Sequence, residues 1–157
     1  MNEMAGEEEL LLLLKKMAVQ LEIQLEHHLR EEDVSGVQVY LMVHILRHHP
    51  NGTYITELCN ELGVSKTTMS LLIKKLREKH YLSFQENETD DRKKRIILTD
   101  KLKQAAAEFL EKANDMEQEI CRNLGTEERT QLKKIEHKIL DQCYRMEIQK
   151  RTGGHRR

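Results

Sequence analysis

The sequence predicts a mainly α-helical chain with one small β-hairpin. Three observations lead there. Charged residues make up 34% of the 157 residues and aromatics only 4%, with a single proline. That mix suits long, solvent-laced helices and not a β-sandwich. Apolar residues recur at spacings of three and four through most of the chain, the period of one helical face. The period gives way after His80 to Tyr81–Phe84 and Arg95–Leu98, two strand-like segments flanking a polar, charged run. A chain of this length is one domain, or one domain with an added dimerisation element, and buries a sizeable core without disulfides or metal.

In order along the chain, a first helix is predicted over about Glu7–Glu31. Its stripe is Leu10, Leu14, Met17, Leu21, Leu25 and Leu29, and Leu11–Leu13 widen it beyond the needs of one partner helix. Ser35 caps a second helix to about His49, with apolar residues on most sides. Pro50-Asn51-Gly52 ends it. A tiny strand at Tyr54-Ile55 and a short helix over Thr56–Leu62 follow, closed by Gly63. Ser65 caps the next helix, about Lys66–Lys79, whose Met69, Leu72, Ile73 and Leu76 form one face. After the hairpin, Thr99 caps a long helix to about Asn123, with the stripe Leu102, Ala106, Phe109, Ala113, Met116, Ile120 and Leu124. Gly125 breaks it. Thr126 opens a last helix with a seam of Leu132, Ile135, Ile139, Cys143 and Met146.

The formal net charge of −1 conceals an asymmetry. Residues 1–34 hold nine acids against three bases, whereas residues 64–103 hold eleven bases against six acids. A basic middle on an acidic chain points to a localised anion-binding face. Cys59, Cys121 and Cys143 have no metal-ligand spacing and are expected as packed, reduced thiols in a cytoplasmic protein. The Leu10–Leu14 run is too short to span a bilayer and follows three glutamates, so neither a leader peptide nor a membrane span is expected.

The informative segment is Thr56–Leu98. Its order, short helix, glycine turn, capped helix, hairpin, is that of a winged helix-turn-helix, whose second helix enters the major groove. Ser65, Lys66, Thr67 and Thr68 stand at the start of that helix, where short hydroxyls approach base edges and unpaired N–H groups favour a phosphate. Lys66, Thr67, Ser70 and Lys74 can point together toward a groove. Arg92, Lys93 and Lys94 at the hairpin tip suit the sugar-phosphate backbone or a minor groove. Double-stranded DNA is therefore the predicted partner. No Ser/His/Asp arrangement, phosphate-cradling glycine loop or coenzyme motif is found, so neither an enzyme nor a cofactor is expected.

On these residues the chain resembles the MarR (multiple antibiotic resistance regulator) family. The resemblance rests on Ile55-Thr56-Glu57-Leu58, Leu62–Ser70, Ile73-Lys74-Lys75-Leu76, and Asp90-Asp91-Arg92 with Leu98-Thr99, and covers about residues 7–148. It implies a homodimer in which the first, fifth and sixth helices interlock. It implies pseudo-palindromic operators, usually bound to repress and often released by a small effector. It places Ser65 to Ser70 in the major groove and Arg92 in the minor groove, with Asp90 orienting it. The organisation then expected is a dimerisation helix over 1–34, a winged helix-turn-helix over 35–100, dimerisation helices over 101–150, and a disordered basic tail over 151–157. Two positions depart from the family's habit: His80 stands where a glycine commonly ends the recognition helix, and Leu102 replaces a frequent glycine.

Rival readings are weighed on other residues. His27 with Glu31, His28 with Glu32, and His44 with His48 are i,i+4 pairs that could face a metal, giving a metal-responsive regulator or a metal-binding bundle built on His27, His28, Glu31, His44 and His48. That reading leaves the basic hairpin unexplained, and no metal site is expected. A dimer that has lost DNA binding would carry acidic or bulky recognition residues, which Lys66, Thr67, Thr68 and Ser70 are not.

Overall fold

A computed structural model describes residues 3–85 and 94–153. It contains α1 (Glu3–Leu29), α2 (Gly36–His48), α3 (Ile55–Leu62), α4 (Lys66–Glu78), β1 (Leu82–Gln85), β2 (Arg95–Leu98), α5 (Asp100–Ile120) and α6 (Thr126–Gly153). The chain divides into two compact units, the first ending at Met116 and the second beginning at Glu117.

In the first unit α2 is the central element. Ser35 caps it as expected, and the cap is reciprocal: Ser35 Oγ accepts from the Gln38 N–H, while Gln38 Oε1 accepts from the Ser35 N–H. Val39, Met42, Val43 and Ile45 are fully buried. They join Leu29 of α1, Leu58 of α3, Met69, Ile73 and Leu76 of α4, and Leu102, Phe109 and Ala113 of α5 in one core. Gly36 makes the close approach to α1 possible. A Cβ there would stand 2.1 Å from the Leu25 carbonyl oxygen, so only glycine fits without moving the backbone.

β1 and β2 pair antiparallel, with Leu82 opposite Leu98 and Phe84 opposite Ile96. The expected tiny strand at Tyr54-Ile55 is a single bridge one residue earlier. Thr53 exchanges both backbone hydrogen bonds with Ile96, at 2.9 and 2.7 Å. Tyr54 and Ile55 instead start α3. Two strands alone are marginal, and this pair gains support from Thr53 on one side and α4 on the other.

His80 ends α4 with φ +68°, the conformation the sequence flagged where glycine is usual. Its N–H donates to Arg77 O at 3.0 Å and the Tyr81 N–H to Leu76 O at 2.9 Å, which makes a Schellman cap on a non-glycine residue. Tyr81 is buried beside Phe109. Burial first, and Asp33 3.3 Å from its hydroxyl second, push the phenol up to about 12. Thr99 ties this bend to α5: its Oγ1 lies 2.6 Å from His80 O and 2.9 Å from Tyr81 O, and accepts from the Leu102 N–H.

In the second unit α6 starts after Gly125, whose N–H donates to Glu128 Oε1 at 3.0 Å. Arg129 reaches back to the carbonyls of Leu124 and Cys121. The helix continues through Arg151, where the tail was expected to begin, to Gly153. Within the single chain its seam is open, with Leu132, Ile135, Ile139 and Met146 all exposed. Cys143 on that seam is exposed as well, whereas Cys59 and Cys121 are half-buried. The expectation of three packed thiols therefore fails for Cys143 in the isolated chain.

Candidate nucleic-acid interface

The site is built on α4 and the turn before it. Gly63 closes α3 with φ +67°, and its N–H donates to Cys59 O at 2.9 Å. Two residues on, Ser65 caps α4. Its Oγ accepts from the Thr68 N–H at 3.2 Å and lies 2.9 Å from the Thr68 hydroxyl. The cap removes one orphan donor of the helix start and leaves others facing solvent. Ser65 and Thr68 thereby orient each other.

Burial of Met69, Ile73 and Leu76 fixes which face of α4 points inward. Leu72 packs beside them, half-buried. Lys66, Thr67, Thr68 and Lys74 are exposed, and Ser70 is half-buried. Thr67, Ser70 and Lys74 thus share an outward face by their spacing. Leu71, 54% exposed, shares it. Sequence reading did not single out Leu71; its place outside the Met69–Leu72–Ile73–Leu76 face was the available signal.

The base of the wing carries a second cationic group. Arg77, in the last turn of α4, places its guanidinium carbon 4.0 Å from the centre of the Phe84 ring, and Lys94 Nζ lies 5.6 Å from the same ring. Such contacts are favourable electrostatically and leave the charges available to solvent. Arg77, His80, Ser83, Phe84, Lys94 and Thr99 line an open depression between α4 and the hairpin. Of the predicted tip residues, only Lys94 is in the described part and it is exposed. Asp90, Arg92 and Lys93 lie outside the described residues. Arg77 was not singled out from sequence, since its stacking on Phe84 depends on the hairpin folding back.

Among the described residues, the histidine and glutamate pairs weighed as a rival metal site do not gather into one cluster. His28 Nε2 lies 3.2 Å from Gln24 Oε1, and Glu31 pairs with Lys112. His48 meets His44 ring to ring, tilted by 47° with 4.8 Å between centres. His44 instead meets His49 and Glu61. Hydrogen bonds from His44, then from His49, hold the Glu61 carboxyl below its ordinary value. The metal-binding bundle is not favoured, since His27, His28, Glu31 and His48 are not part of the cluster around His44.

Comparison with known proteins agrees with this geometry. The family model described as a winged helix DNA-binding domain matches residues 34–101. No curated protein matches the sequence. Among solved structures, the chain is similar to the transcription regulator MarR from Oenococcus oeni PSU-1, with 21% identity and a TM-score of 0.73 over 84% of this chain and 98% of that one. MepR of S. aureus, solved as a DNA complex, gives 22% identity and a TM-score of 0.75 over 83% and 95%. A MarR transcriptional regulator from Methanosarcina mazei Go1 gives 17% and 0.69 over 92% and 99%. Residues 34–101 are thus a winged helix DNA-binding domain. The chain around them has the fold of the MarR-type regulators, as the sequence resemblance implied. Among the described residues, no helix is long and apolar enough to cross a membrane.

Proposed function

We propose that this chain is a non-enzymatic, sequence-specific regulator of transcription of MarR type. It binds double-stranded DNA in the cytoplasm as a homodimer, represses from pseudo-palindromic operators, and is released by a small effector. The observation that carries the reading is the outward face of α4, where Thr67, Ser70, Leu71 and Lys74 stand clear of the buried Met69–Ile73–Leu76 face inside a winged-helix domain. Hydroxyls hydrogen-bond base edges, and an exposed leucine suits a thymine methyl. Lys66, Lys74 and Lys94 bind phosphates, as does the start of α4 with Ser65 and Thr68. At the wing tip Arg92 and Lys93 continue the contact, with Asp90 positioning Arg92. MepR of S. aureus, of the same fold, has been solved on DNA, which supports the reading.

The dimer is supported by apolar residues that the single chain leaves uncovered. On α1, Leu10, Leu11, Met17 and Val19 are 51–66% exposed, and on α6 Ile135, Tyr144, Met146 and Ile148 are 51–63% exposed. Apolar stripes of this extent on helices are interface material.

Selection of bound DNA from a random pool tests the reading. The expected product is an inverted repeat with half-sites about 10 base pairs apart, centre to centre. Loss of all enrichment at physiological salt, or a single asymmetric site, would refute it.

A further inference from the structure

Away from the recognition helix, two imidazoles and a carboxylate converge where the end of α2 meets the end of α3. His44 lies in the second half of α2, His49 is the residue that caps it, and Glu61 sits in the last turn of α3. His44 Nε2 is 2.8 Å from Glu61 Oε1. His49 Nε2 is 2.7 Å from the same oxygen and 3.0 Å from Oε2. The three ligand-type atoms all lie within 4.8 Å of one another.

The backbone holds these groups in place. The His49 N–H donates to Ile45 O at 2.7 Å, and the His49 carbonyl accepts from the Gly52 N–H at 3.0 Å. On the other side, Leu58 anchors α3 in the core with no exposure. The histidine side chains are 18% and 17% exposed and that of Glu61 36%, so the cluster is sheltered yet reachable from solvent.

Two imidazole nitrogens and one carboxylate oxygen are the donors that borderline divalent cations prefer, at bond lengths of about 2.0–2.1 Å for zinc. Around a tetrahedral ion such bonds set the donor atoms roughly 3.3 Å apart. To admit one, the two histidine–Glu61 separations of 2.8 and 2.7 Å widen by about half an ångström, and the two imidazole nitrogens, within 4.8 Å of each other, settle to about the same spacing by side-chain rotation. The ring protons then move to Nδ1, freeing both Nε2 lone pairs. One carboxylate and two neutral imidazoles offset half the charge of the ion and leave a coordination position for water.

We propose that His44, His49 and Glu61 form a binding site for a divalent cation of the zinc class, which clamps the last turn of α3 to the end of α2. The site uses no residue assigned to DNA contact, so zinc binding is measured without DNA and holds or fails independently of the proposed regulator function.

The test titrates Zn2+ into metal-stripped, full-length protein against a chromophoric competitor and follows thermal unfolding in parallel. One Zn2+ per chain is expected, with a rise in Tm. Glu61→Gln and His49→Gln each weaken binding at least about tenfold and abolish the rise in Tm. A His27→Gln/His28→Gln double variant binds like the wild type. Glu61→Gln keeps an acceptor for both histidines, so it remains a folded test, verified by circular dichroism, if His49→Gln fails to fold. Unchanged Zn2+ affinity in folded Glu61→Gln overturns the proposal. So does binding that vanishes only in the His27/His28 variant, or a wild type that takes up no Zn2+ at micromolar concentrations.

Discussion

At the scale of single residues, His80 carries the clearest conflict between chain and fold. A side chain with φ +68° costs about 1–2 kcal/mol, part of which glycine gives back in chain entropy. His80→Gly is therefore expected to stabilise the protein by about 1 kcal/mol in urea unfolding, with the Schellman bonds to Arg77 and Leu76 intact. A destabilised variant would mean that the imidazole makes contacts outweighing the strain. On the recognition face, Thr67→Ala is expected to relax base preference, whereas Lys74→Ala lowers the salt slope of binding by about one and leaves preference alone. A binding titration over several salt concentrations, on operator and scrambled DNA, separates the two.

At the scale of elements, the junction between α1 and α2 hangs on one missing methyl. Gly36→Ala forces the Leu25 carbonyl aside and is expected to cost about 1–3 kcal/mol, read as a lower midpoint in denaturant. The wing makes a separate prediction. Arg92→Ala is expected to weaken operator binding by about 1–3 kcal/mol with the Tm unchanged; equal affinity would remove the wing from the interface. Elements whose cause is local were readable beforehand. Gly63, Ser65 and the Met69–Ile73–Leu76 face lie within a few residues of what they shape, so the helix-turn-helix could be drawn from spacing. The Thr53–Ile96 bridge joins residues 43 apart in sequence, and the Gly36–Leu25 approach depends on how two helices cross. Neither leaves a mark in local periodicity. The His44–His49–Glu61 cluster escaped for the same reason: pairs at i,i+4 were sought on one helix, while the third group came from the next.

For the whole molecule, the open apolar residues of α1 and α6 set the expected assembly. Leu14, Leu21, Ile135 and Ile139 all stand at stripe positions, and all are exposed in the single chain. Ile135→Glu combined with Ile139→Glu is expected to shift sedimentation from dimer to monomer and to reduce operator affinity at least about tenfold, because one recognition helix then binds without its twin. A variant that stays dimeric would move the interface elsewhere. The dimer reading was suggested by Leu11–Leu13, which broaden the first stripe beyond one neighbour's needs.

The threonine at position 99 does two jobs with one oxygen. It starts α5 and grips the carbonyls at the exit of α4. A tilt of α5 at its root is therefore expected to pull on the bend at His80 and Tyr81, next to the first residue of β1. The base of the hairpin is thus joined to that helix through a side chain as well as through the chain itself.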